Sequence, residues 1–592
     1  MFRLFKMSNR KTKVLAVLAL IFVALQGVFE GLQTTMLSDI IIIVTPIETT
    51  PTPEELRLFW LATSMLMMNA ILALVFGILG SWIGTKASLL SAETVRHNMF
   101  YKASTLSFGD IDKVTTSSII TRITNDVQKY QIAVQLALAL FIRAPIMFFY
   151  GIITSFVRFW MFGMLFLGIM LLIILGFVVV AKVVVPAFER VQYEIDNANV
   201  VVRENVLGMR VIKSFCLEEK QAERFDTYNK RLKKQNTKAW IGFACILPLI
   251  NSIMNAAGAS IFMIAGATVI NDNLQFISSV GKIYEIFNLL MVTLASVLIS
   301  CMVIINCVRA QPSCYRVLKL LKMKPSIRNS KDARKLNPKH LDIQFKNVNF
   351  KYFENARKPV LRNINLKIKQ GEMVGIVGPT GSGKTSLINL ISRLYDLQKE
   401  NNAGSVTIGG IPVNEIELDS LQDNVGVVLQ ERILFSGTIK YNLLYGKQDA
   451  TDKELMNAAK IACADEIINE KEGKLNAVVE QRGRNFSGGQ QQRLCITRTL
   501  LKKPNILILD DSTSALDMLT EAKLQANIRQ QMKGMTTIIV AQRISSVKDC
   551  DHIVVMEKGQ IVGYGNHDTL RKSNRLYRSI VVSQMGREGL TK

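Results

Sequence analysis

Long apolar segments alternate with polar stretches over the first 320 residues of the chain. The apolar segments lie at 14–44, 58–83, 133–156, 160–180, 241–270 and 286–308. Each of them can cross a bilayer core, which requires about 20 apolar residues. The pattern therefore predicts six membrane-spanning helices, and an even number of spans places both termini on the same side of the membrane.

The connections between these segments differ in length. The short ones lie at 45–57, 157–159 and 271–285, and the long, polar ones at 84–132 and 181–240. Solvated loops are one interpretation of the long connections, but unstructured loops of this length are uncommon. We therefore expect helices that continue past the bilayer, with a contact segment near the middle of each long connection, around 108–117 and 214–224.

The hydrophobic pattern changes after a basic, polar stretch at 321–340, which we interpret as a linker. From residue 341 apolar residues alternate with polar ones, as at Ile343, Phe345, Val348 and Phe350. Such alternation is typical of half-buried strands. The predicted fold class is an α-helical membrane domain over 1–320, fused through the linker to a C-terminal α/β domain over 341–592.

Composition and charge agree with a membrane protein. The chain has 592 residues, of which 49% are hydrophobic, and its mean hydropathy of +0.23 is high for a soluble protein. The formal net charge of +25 favours a cytoplasmic mass facing anionic lipid over a nucleic-acid partner. The eight cysteines include no C-x-x-C pair, so neither a zinc site nor a disulfide framework is indicated.

The orientation follows from charges around the first span. Five basic residues precede it, and acidic residues follow it at Glu48, Glu54 and Glu55. Because cytoplasmic flanks carry the excess of Lys and Arg, both termini and the α/β domain are predicted to be cytoplasmic. A cleaved signal peptide begins similarly, but this apolar run is too long and lacks a small-x-small cleavage site.

The α/β domain contains the phosphate-binding motif G-x-x-x-x-G-K-[ST]. Its residues are Gly378, Pro379, Thr380, Gly381, Ser382, Gly383, Lys384 and Thr385, followed by Ser386. An apolar strand precedes the motif and a helix follows it, which is the context that the motif requires. Backbone N–H groups there would surround phosphates, Lys384 would reach the outer phosphates, and the Thr385 hydroxyl would bind Mg²⁺. The motif predicts a nucleoside triphosphate site.

Two further segments support this prediction. The apolar run at 506–509 ends in Asp510, where a Mg²⁺-holding aspartate is expected. The second segment, Asn-Phe-Ser-Gly-Gly-Gln at 485–490, offers a hydroxyl and two glycines at a helix start. Such a start is a second phosphate cradle, whose residues are Ser487, Gly488, Gly489 and Gln490.

The segment at 485–490 resembles the LSGGQ signature of ATP-binding cassettes. Together with the phosphate loop and Asp510, it makes the chain resemble an ABC exporter half-transporter over essentially its full length. The resemblance implies that Tyr352 stacks on adenine and that Gln430 links Mg²⁺ to the membrane domain, with Thr385 and Asp510 as the other Mg²⁺ residues. It also implies that the signature closes on ATP held by a second cassette, that 514–517 crosses between the two sites, and that the two contact segments are coupling helices. The runs at 116–127 and 202–208 are similar to those of bacterial multidrug exporters, which implies a bacterial plasma membrane.

Two residues depart from the family pattern. Asp511 stands where the family usually has a catalytic glutamate, and Gln542 stands where it has a switch histidine. None of the four histidines (His97, His340, His552 and His567) can substitute by position. A glutamine can form hydrogen bonds but cannot carry a proton. The pair predicts the degenerate-site subunit of a heterodimer, whose partner carries the missing glutamate and histidine and performs the main hydrolysis.

The cargo is less defined by the sequence. Glu30 and Arg143 are charges within predicted spans, where charges are costly and usually line a polar path or pair; snorkelling at a membrane face is the alternative. We expect an amphiphilic drug-like compound or a lipid. A lipid or peptide exporter and, less favoured, an ATP-gated channel share the architecture; the absence of an N-terminal peptidase domain argues against leader-cleaving peptide export. Six spans argue against a soluble cassette acting on nucleic acid.

Overall fold

The computed structural model describes residues 1–44, 52–158, 160–245, 248, 251–253, 255–256, 258–263, 276–353, 356–398 and 403–585. The chain divides into two compact units. The first contains Met1–Lys102 and Ile119–Lys322, and the second contains Ala103–Ser118 and Met323–Lys592. The segment around residue 110 therefore belongs to the same compact unit as the α/β domain.

Helices make up the first half of the chain. Their bounds are Phe2–Lys6, Arg10–Val44, Pro53–Thr105, Phe108–Val114, Thr116–Thr121, Val127–Leu140, Arg143–Arg158, Trp160–Leu207, Met209–Ser214, Glu218–Ala244 and Phe276–Lys322. Four helical stretches among the described residues are long and apolar enough to cross a membrane: Arg10–Val44, Pro53–Ser104, Thr116–Val157 and Ile283–Lys322. They contain the predicted first, second, third and sixth spans. The predicted fourth span lies in Trp160–Leu207, and part of the fifth, including 264–270, lies outside the described residues.

The long polar connections are helical, as the sequence predicts. The helix Pro53–Thr105 runs for 53 residues, a length of roughly 80 Å at 1.5 Å per residue. The first predicted contact segment is the short helix Phe108–Val114. In the second long connection the short helix Met209–Ser214 lies just before the predicted contact segment at 214–224, whose contact role stays a prediction. Gly208, a poor helix former, separates the long helix Trp160–Leu207 from this short helix.

A π-helical turn interrupts the helix that leads from the first contact segment into the third predicted span. It covers Arg122–Asp126 and carries the buried carboxylate of Asp126. Arg316 binds that carboxylate with two nitrogens, at 2.8 Å through Nε and 2.5 Å through Nη2. π-turns of this kind occur frequently at functional sites.

The α/β domain is built on two main sheets. The strands are β1 (Ile343–Phe350), β2 (Leu361–Ile368), β3 (Met373–Val377), β4 (Ser405–Ile408), β5 (Ile411–Pro412), β6 (Val425–Val428), β7 (Gly437–Thr438), β8 (Val478–Val479), β9 (Ile506–Asp510), β10 (Thr536–Val540), β11 (His552–Glu557) and β12 (Gln560–Gly565). One sheet is antiparallel, in the order β2-β1-β4-β5, and the larger has the order β12-β11-β3-β10-β9-β6. A separate short pair joins β7 and β8.

Helices of this domain are Lys384–Ile391, Leu418–Asn424, Ile439–Leu444, Asp452–Ile461, Asp465–Glu470, Gly488–Leu501, Met518–Gln531, His567–Ser573 and Arg575–Met585. In the larger sheet β10 is parallel to both β3 and β9. The carboxyl ends of these three neighbouring strands therefore meet at one edge, which is where ligands bind in open α/β sheets. The phosphate loop and the Gln542 segment follow two of those ends, and Asp510 is the last residue of β9.

Candidate nucleotide site

The phosphate loop has the backbone that its glycines permit. Gly378, Gly381 and Gly383 have φ values of 155°, 79° and 98°, conformations that residues with a Cβ rarely adopt. A Cβ on Gly378 would lie 2.2 Å from the Met556 carbonyl oxygen. The Lys384 ammonium folds back to donate to the carbonyl oxygens of Gly378 at 2.8 Å and Pro379 at 3.0 Å.

Two groups of the loop suit an anion. Burial lowers the pKa of Lys384, and the nearby charges of Asp511 and Asp510 offset this only partly. The buried Ser382 hydroxyl has no hydrogen-bond partner among the described residues, although buried polar groups are normally paired. A phosphate oxygen would supply what both groups lack. The loop therefore fits the triphosphate of a nucleotide.

The neighbouring Mg²⁺ candidates also lie together. The Thr385 hydroxyl donates to Asp510 Oδ1 at 3.3 Å. Burial raises the pKa of Asp510 to about 6, with the charge of Asp511 adding to the shift and the Thr385 bond opposing it. A carboxylate in this state is destabilised by its surroundings and would be stabilised by a cation. Thr385 and Asp510 thus fit a Mg²⁺ ion carried in with nucleotide phosphates.

Asp511 and Gln542, the two residues that depart from the family pattern, touch each other. Gln542 Nε2 donates to Asp511 Oδ2 at 2.8 Å, and Gln430 Nε2 lies at 3.4 Å from the same oxygen. Burial raises the pKa of Asp511, and the hydrogen bond from Gln542 opposes the shift. The carboxylate that would face the attacking water is therefore held by two side-chain amides.

A residue that the sequence did not indicate fixes the Gln542 segment. Gln584, near the end of the C-terminal helix, donates to the Gln542 carbonyl oxygen at 2.7 Å and accepts from the Ile544 N–H at 2.8 Å. One side-chain amide thus satisfies a donor and an acceptor of the loop after β10. No local motif marks Gln584, because its role depends on the C-terminal helix folding back onto this loop.

The signature residues cap a helix, as predicted. The Ser487 hydroxyl accepts from the Gln490 N–H at 3.3 Å, and the Gln490 side chain accepts from the Ser487 N–H at 3.0 Å. This capping box starts the helix Gly488–Leu501. A Cβ on Gly488 would lie 2.3 Å from Arg432 Nη1, and one on Gly489 would lie 3.1 Å from the Ala515 carbonyl oxygen. A Cβ on Gly489 would therefore crowd the backbone, whereas one on Gly488 would displace only the end of a flexible side chain.

Tyr352 lies in an aromatic cluster beside the phosphate loop. Its ring makes edge contacts with Phe350 and Tyr395, at centroid distances of 4.9 and 4.8 Å. Its hydroxyl is 2.8 Å from the Ser386 hydroxyl, in the helix that follows the loop. The predicted stacking on adenine stays a prediction, but the position next to the loop agrees with it.

The two charges in the predicted spans form a pair within the first compact unit. Arg143 Nε lies 2.7 Å from Glu30 Oε2, without the alignment of a hydrogen bond. Gln26 Nε2 donates to Glu30 Oε1 at 2.9 Å. The sequence identified both charges and left pairing open, and the structure shows that they neutralise each other.

A helical membrane domain joined to a phosphate-loop cassette with an adjacent signature helix defines an ATP-driven membrane transporter. Residues 361–514 match the ABC transporter family, and residues 16–297 match the ABC transporter transmembrane region. The chain belongs to the ABC transporter family and is an exporter whose cassette binds and hydrolyses ATP to drive transport.

Relatives cover nearly the whole chain. The uncharacterized ABC transporter ATP-binding protein YfiB of Bacillus subtilis (strain 168) is 32% identical over 97% of both chains. An ATP-dependent lipid A-core flippase of Syntrophus aciditrophicus (strain SB) is 31% identical over 83% of this chain and 80% of its own. The structure of a bacterial Atm1-family ABC exporter with ATP bound has a TM-score of 0.79 at 22% identity, covering 96% of this chain and 97% of its own. That similarity establishes the exporter fold.

Proposed function

We propose that this chain is the degenerate-site subunit of a heterodimeric ABC exporter that moves amphiphilic drugs or lipids across a bacterial plasma membrane. Its cassette and both termini would face the cytoplasm. One observation carries the heterodimer proposal: the Asp511 carboxylate, in the position of the catalytic base, is bound by the amide of Gln542, in the position of the switch histidine.

The chemistry at this pair disfavours rapid hydrolysis. An aspartate is one methylene shorter than a glutamate, and a misplacement of about 1 Å can cost about 10²-fold in rate. That factor corresponds to roughly 2.7 kcal/mol of barrier. Gln542 holds the short carboxylate from one side and cannot exchange a proton with phosphate or water. The site is suited to hold ATP and turn it over slowly.

The binding residues divide between two ATP molecules. The phosphate loop from Gly378 to Ser386 and the Tyr352 ring would hold the ATP of this chain, with Thr385, Gln430 and Asp510 around its Mg²⁺. The ion would neutralise charge on the phosphate oxygens. Ser487, Gly488, Gly489 and Gln490 would complete the partner's ATP site. The partner is therefore a different half-transporter with a competent glutamate and histidine.

Transport would follow from closure of the two cassettes on two ATP molecules. The helical extensions would transmit closure to the spans and turn a central cavity outward, and hydrolysis at the partner's site would reset it. The Glu30–Arg143 pair with Gln26 offers a polar position for the head group of an amphiphile. A lipid cargo is the favoured alternative to drugs, supported by the similarity to a protein described as a lipid A-core flippase. Peptide export and an ATP-gated channel are less supported.

The test is the ATPase activity of the purified full-length chain alone in lipid. We expect weak turnover, and we expect the double variant Asp511→Glu with Gln542→His to raise it by about two orders of magnitude. Adding Lys384→Ala to the double variant is the control, since it should remove the gain. Rapid hydrolysis by the unaltered chain, stimulated by drugs and not increased by the double change, would contradict the heterodimer proposal.

A further inference from the structure

We propose that Tyr395 is a positioning residue that reports the nucleotide base bound at Tyr352 to the contact helix Phe108–Val114. The proposal rests on the assignment of Tyr352 to adenine. Two contacts of Tyr395 carry it. Its ring meets the edge of Tyr352 at a centroid distance of 4.8 Å and an angle of 85°. Its hydroxyl donates to Asp112 Oδ2 of the contact helix at 2.6 Å.

The ring of Tyr395 also rests on the helix itself. A Cβ built on Gly109 would lie 3.4 Å from Tyr395 Cε1, which is ordinary van der Waals contact. Tyr395 therefore meets the helix at two points, one apolar and one a hydrogen bond to a carboxylate. Burial raises the pKa of Tyr395, and the bond to Asp112 and its charge add to the shift. The hydroxyl thus stays a donor at physiological pH.

Hydrogen bonds hold the backbone around Tyr395. A displacement of the Tyr395 ring would therefore be transmitted to the helix Phe108–Val114. Arg393, two residues earlier, is buried and donates to the carbonyl oxygens of Ile416 at 3.0 Å and Arg328 at 3.1 Å. Its Nε also donates to Asp396 Oδ1 at 3.0 Å. With its neighbours held in this way, the Tyr395 side chain is the part that can respond to Tyr352.

The helix is anchored at its other end to the linker. Asp110 Oδ2 accepts from the Ser326 N–H at 2.8 Å, and the hydroxyls of Ser107 and Ser326 are 2.6 Å apart. Burial opposes ionisation of Asp110, but the hydrogen bonds from Ser326 and Ser107 outweigh it and lower its pKa. The helix thus has a fixed end at Ser107 and Asp110. Tyr395 meets it at Gly109, within that end, and through a hydrogen bond at Asp112, further along.

The two rings form a continuous route from the nucleotide to the helix. The Tyr352 hydroxyl is hydrogen-bonded to the hydroxyl of Ser386, in the helix that follows the phosphate loop. The Tyr352 ring is therefore held between that helix and Tyr395. A base that stacks on Tyr352 restricts this ring, and the restriction passes to Tyr395 by edge contact. The helix Phe108–Val114 is continuous in the chain with Pro53–Thr105, one turn earlier, through which it reaches a membrane span. The route offers a physical link between base occupancy and that span.

Hydrogen–deuterium exchange of the full-length chain in lipid tests the proposal. The non-hydrolysable analogue adenylyl imidodiphosphate with Mg²⁺ should slow amide exchange in 108–114 by fivefold or more. Tyr395→Phe keeps the ring and removes the hydroxyl, and it should lose at least half of this protection while the analogue's Kd changes less than twofold. Inorganic triphosphate, which fills the phosphate loop without a base, should give little protection.

Two further variants keep the test independent of the stability of Tyr395→Phe. Asp112→Ala, at an exposed position, should lose the protection, and Asp112→Glu should recover part of it because a carboxylate remains. Tyr564→Phe, which removes a hydroxyl that bonds the Lys367 carbonyl oxygen, is the matched control and should behave as the unaltered chain.

The outcomes separate the inference from the proposed function. Full protection in both Tyr395→Phe and Asp112→Ala, or equal protection by triphosphate, would overturn the route. If Tyr352→Ala leaves the Kd of the analogue unchanged, the adenine assignment is wrong and the inference falls with it. Fast hydrolysis by the chain alone would refute the heterodimer and leave this exchange experiment unaffected.

Discussion

The two ends of the nucleotide site differ in what holds them. At the phosphate end, two groups are suited to bind an anion. The Lys384 ammonium donates to carbonyl oxygens of the loop, and the Ser382 hydroxyl has no hydrogen-bond partner among the described residues. At the hydrolysis end, Asp511 is already bound by Gln542 within the protein. The difference indicates that binding and turnover can be separated along a single site.

The largest effect should come from Gly488→Asp in the heterodimer. The substitution would place a carboxylate on the signature, against the γ-phosphate of the partner's ATP, and we expect ATPase activity to fall nearly to background. A Cβ on Gly488 would lie 2.3 Å from Arg432 Nη1, so the arginine side chain would have to move. We expect the loss of ATPase activity in spite of this neighbour. The measurement is steady-state hydrolysis by the reconstituted pair.

Gly534→Asp is the control for that change, because nothing lies within 4 Å of a Cβ at Gly534 and aspartate is among the few residues that adopt its positive φ, at some cost in strain. We expect that variant to keep its activity. If Gly488→Asp retains most of its turnover, the signature does not serve the partner's ATP.

Lys384→Ala tests the phosphate end of the nucleotide site separately from the hydrolysis end, because it removes the cation that would bind the phosphates. Hydrogen bonds to charged groups contribute about 1.5–3 kcal/mol, so the affinity of this chain for ATP should fall by about 10- to 100-fold. The pair should still hydrolyse ATP at the partner's site, more slowly, and transport should slow. Nucleotide binding and ATPase assays on the same preparation check both parts.

Lys447→Ala is a matched control, since it removes a half-buried lysine outside the phosphate loop, whose ammonium pairs with Glu454 at 2.7 Å. It should leave ATP affinity unchanged. Complete loss of hydrolysis in Lys384→Ala with unchanged nucleotide occupancy would contradict the division of labour between the two sites.

Gln584→Ala tests whether the C-terminal helix holds the hydrolysis end in place. Without this side chain the Gln542 carbonyl oxygen and the Ile544 N–H lose their partner, and the loop after β10 should become more mobile. We expect a severalfold change in the residual hydrolysis of the chain alone and faster amide exchange at 541–546. Gln370→Ala removes a similar bridge, between Leu341 N–H and the Pro338 carbonyl oxygen, and should do neither.

An unchanged exchange rate at 541–546 in Gln584→Ala would show that the loop does not need Gln584. The same rise in Gln370→Ala would show a general loss of stability in the cassette instead. Only an effect confined to Gln584→Ala supports a positioning role at the hydrolysis end.

The smallest effect concerns the pH dependence of the nucleotide-free chain. The pKa of Asp510 is raised to about 6, so between that value and its ordinary range the folded state binds more protons than the unfolded state. Stability should therefore rise as pH falls from 7 to 5. Asp510→Asn should increase the free energy of unfolding at pH 7.5 by on the order of 1–2 kcal/mol, which would raise the thermal midpoint and flatten this pH dependence.

Asp517→Asn provides the comparison for that measurement, because asparagine replaces the N-cap of the helix Met518–Gln531 with an equally good one. Its thermal midpoint should barely change. A lower midpoint in Asp510→Asn at pH 7.5 would mean that the ionised carboxylate stabilises the fold, contrary to its raised pKa.

Motifs predicted the site where local sequence determines geometry. The strand before the phosphate loop, the helix from Lys384 and the capped helix after Ser487 all follow from residues near each other in the chain. Contacts between distant elements were not predictable in this way. The pairing of Glu30 with Arg143, the Gln584 bridge and the Tyr395 contacts depend on which faces of separate helices and loops meet, which a single sequence does not encode locally.

The π-helical turn at Arg122–Asp126 also constrains how the gene can change. A π-helical turn holds about one residue more than the α-helical turn it replaces, so deletion of one codon here can restore regular α-helix with its flanks in nearly the same orientation. Because each residue advances an α-helix by about 100°, a further inserted residue would instead rotate the segment beyond the turn. Asp126 would then lose its alignment with Arg316, or the apolar face of Val127–Leu140 would turn away from its neighbours. Single-codon insertions here should therefore be tolerated less often than single-codon deletions, and a deep mutational scan that includes both would reveal the asymmetry.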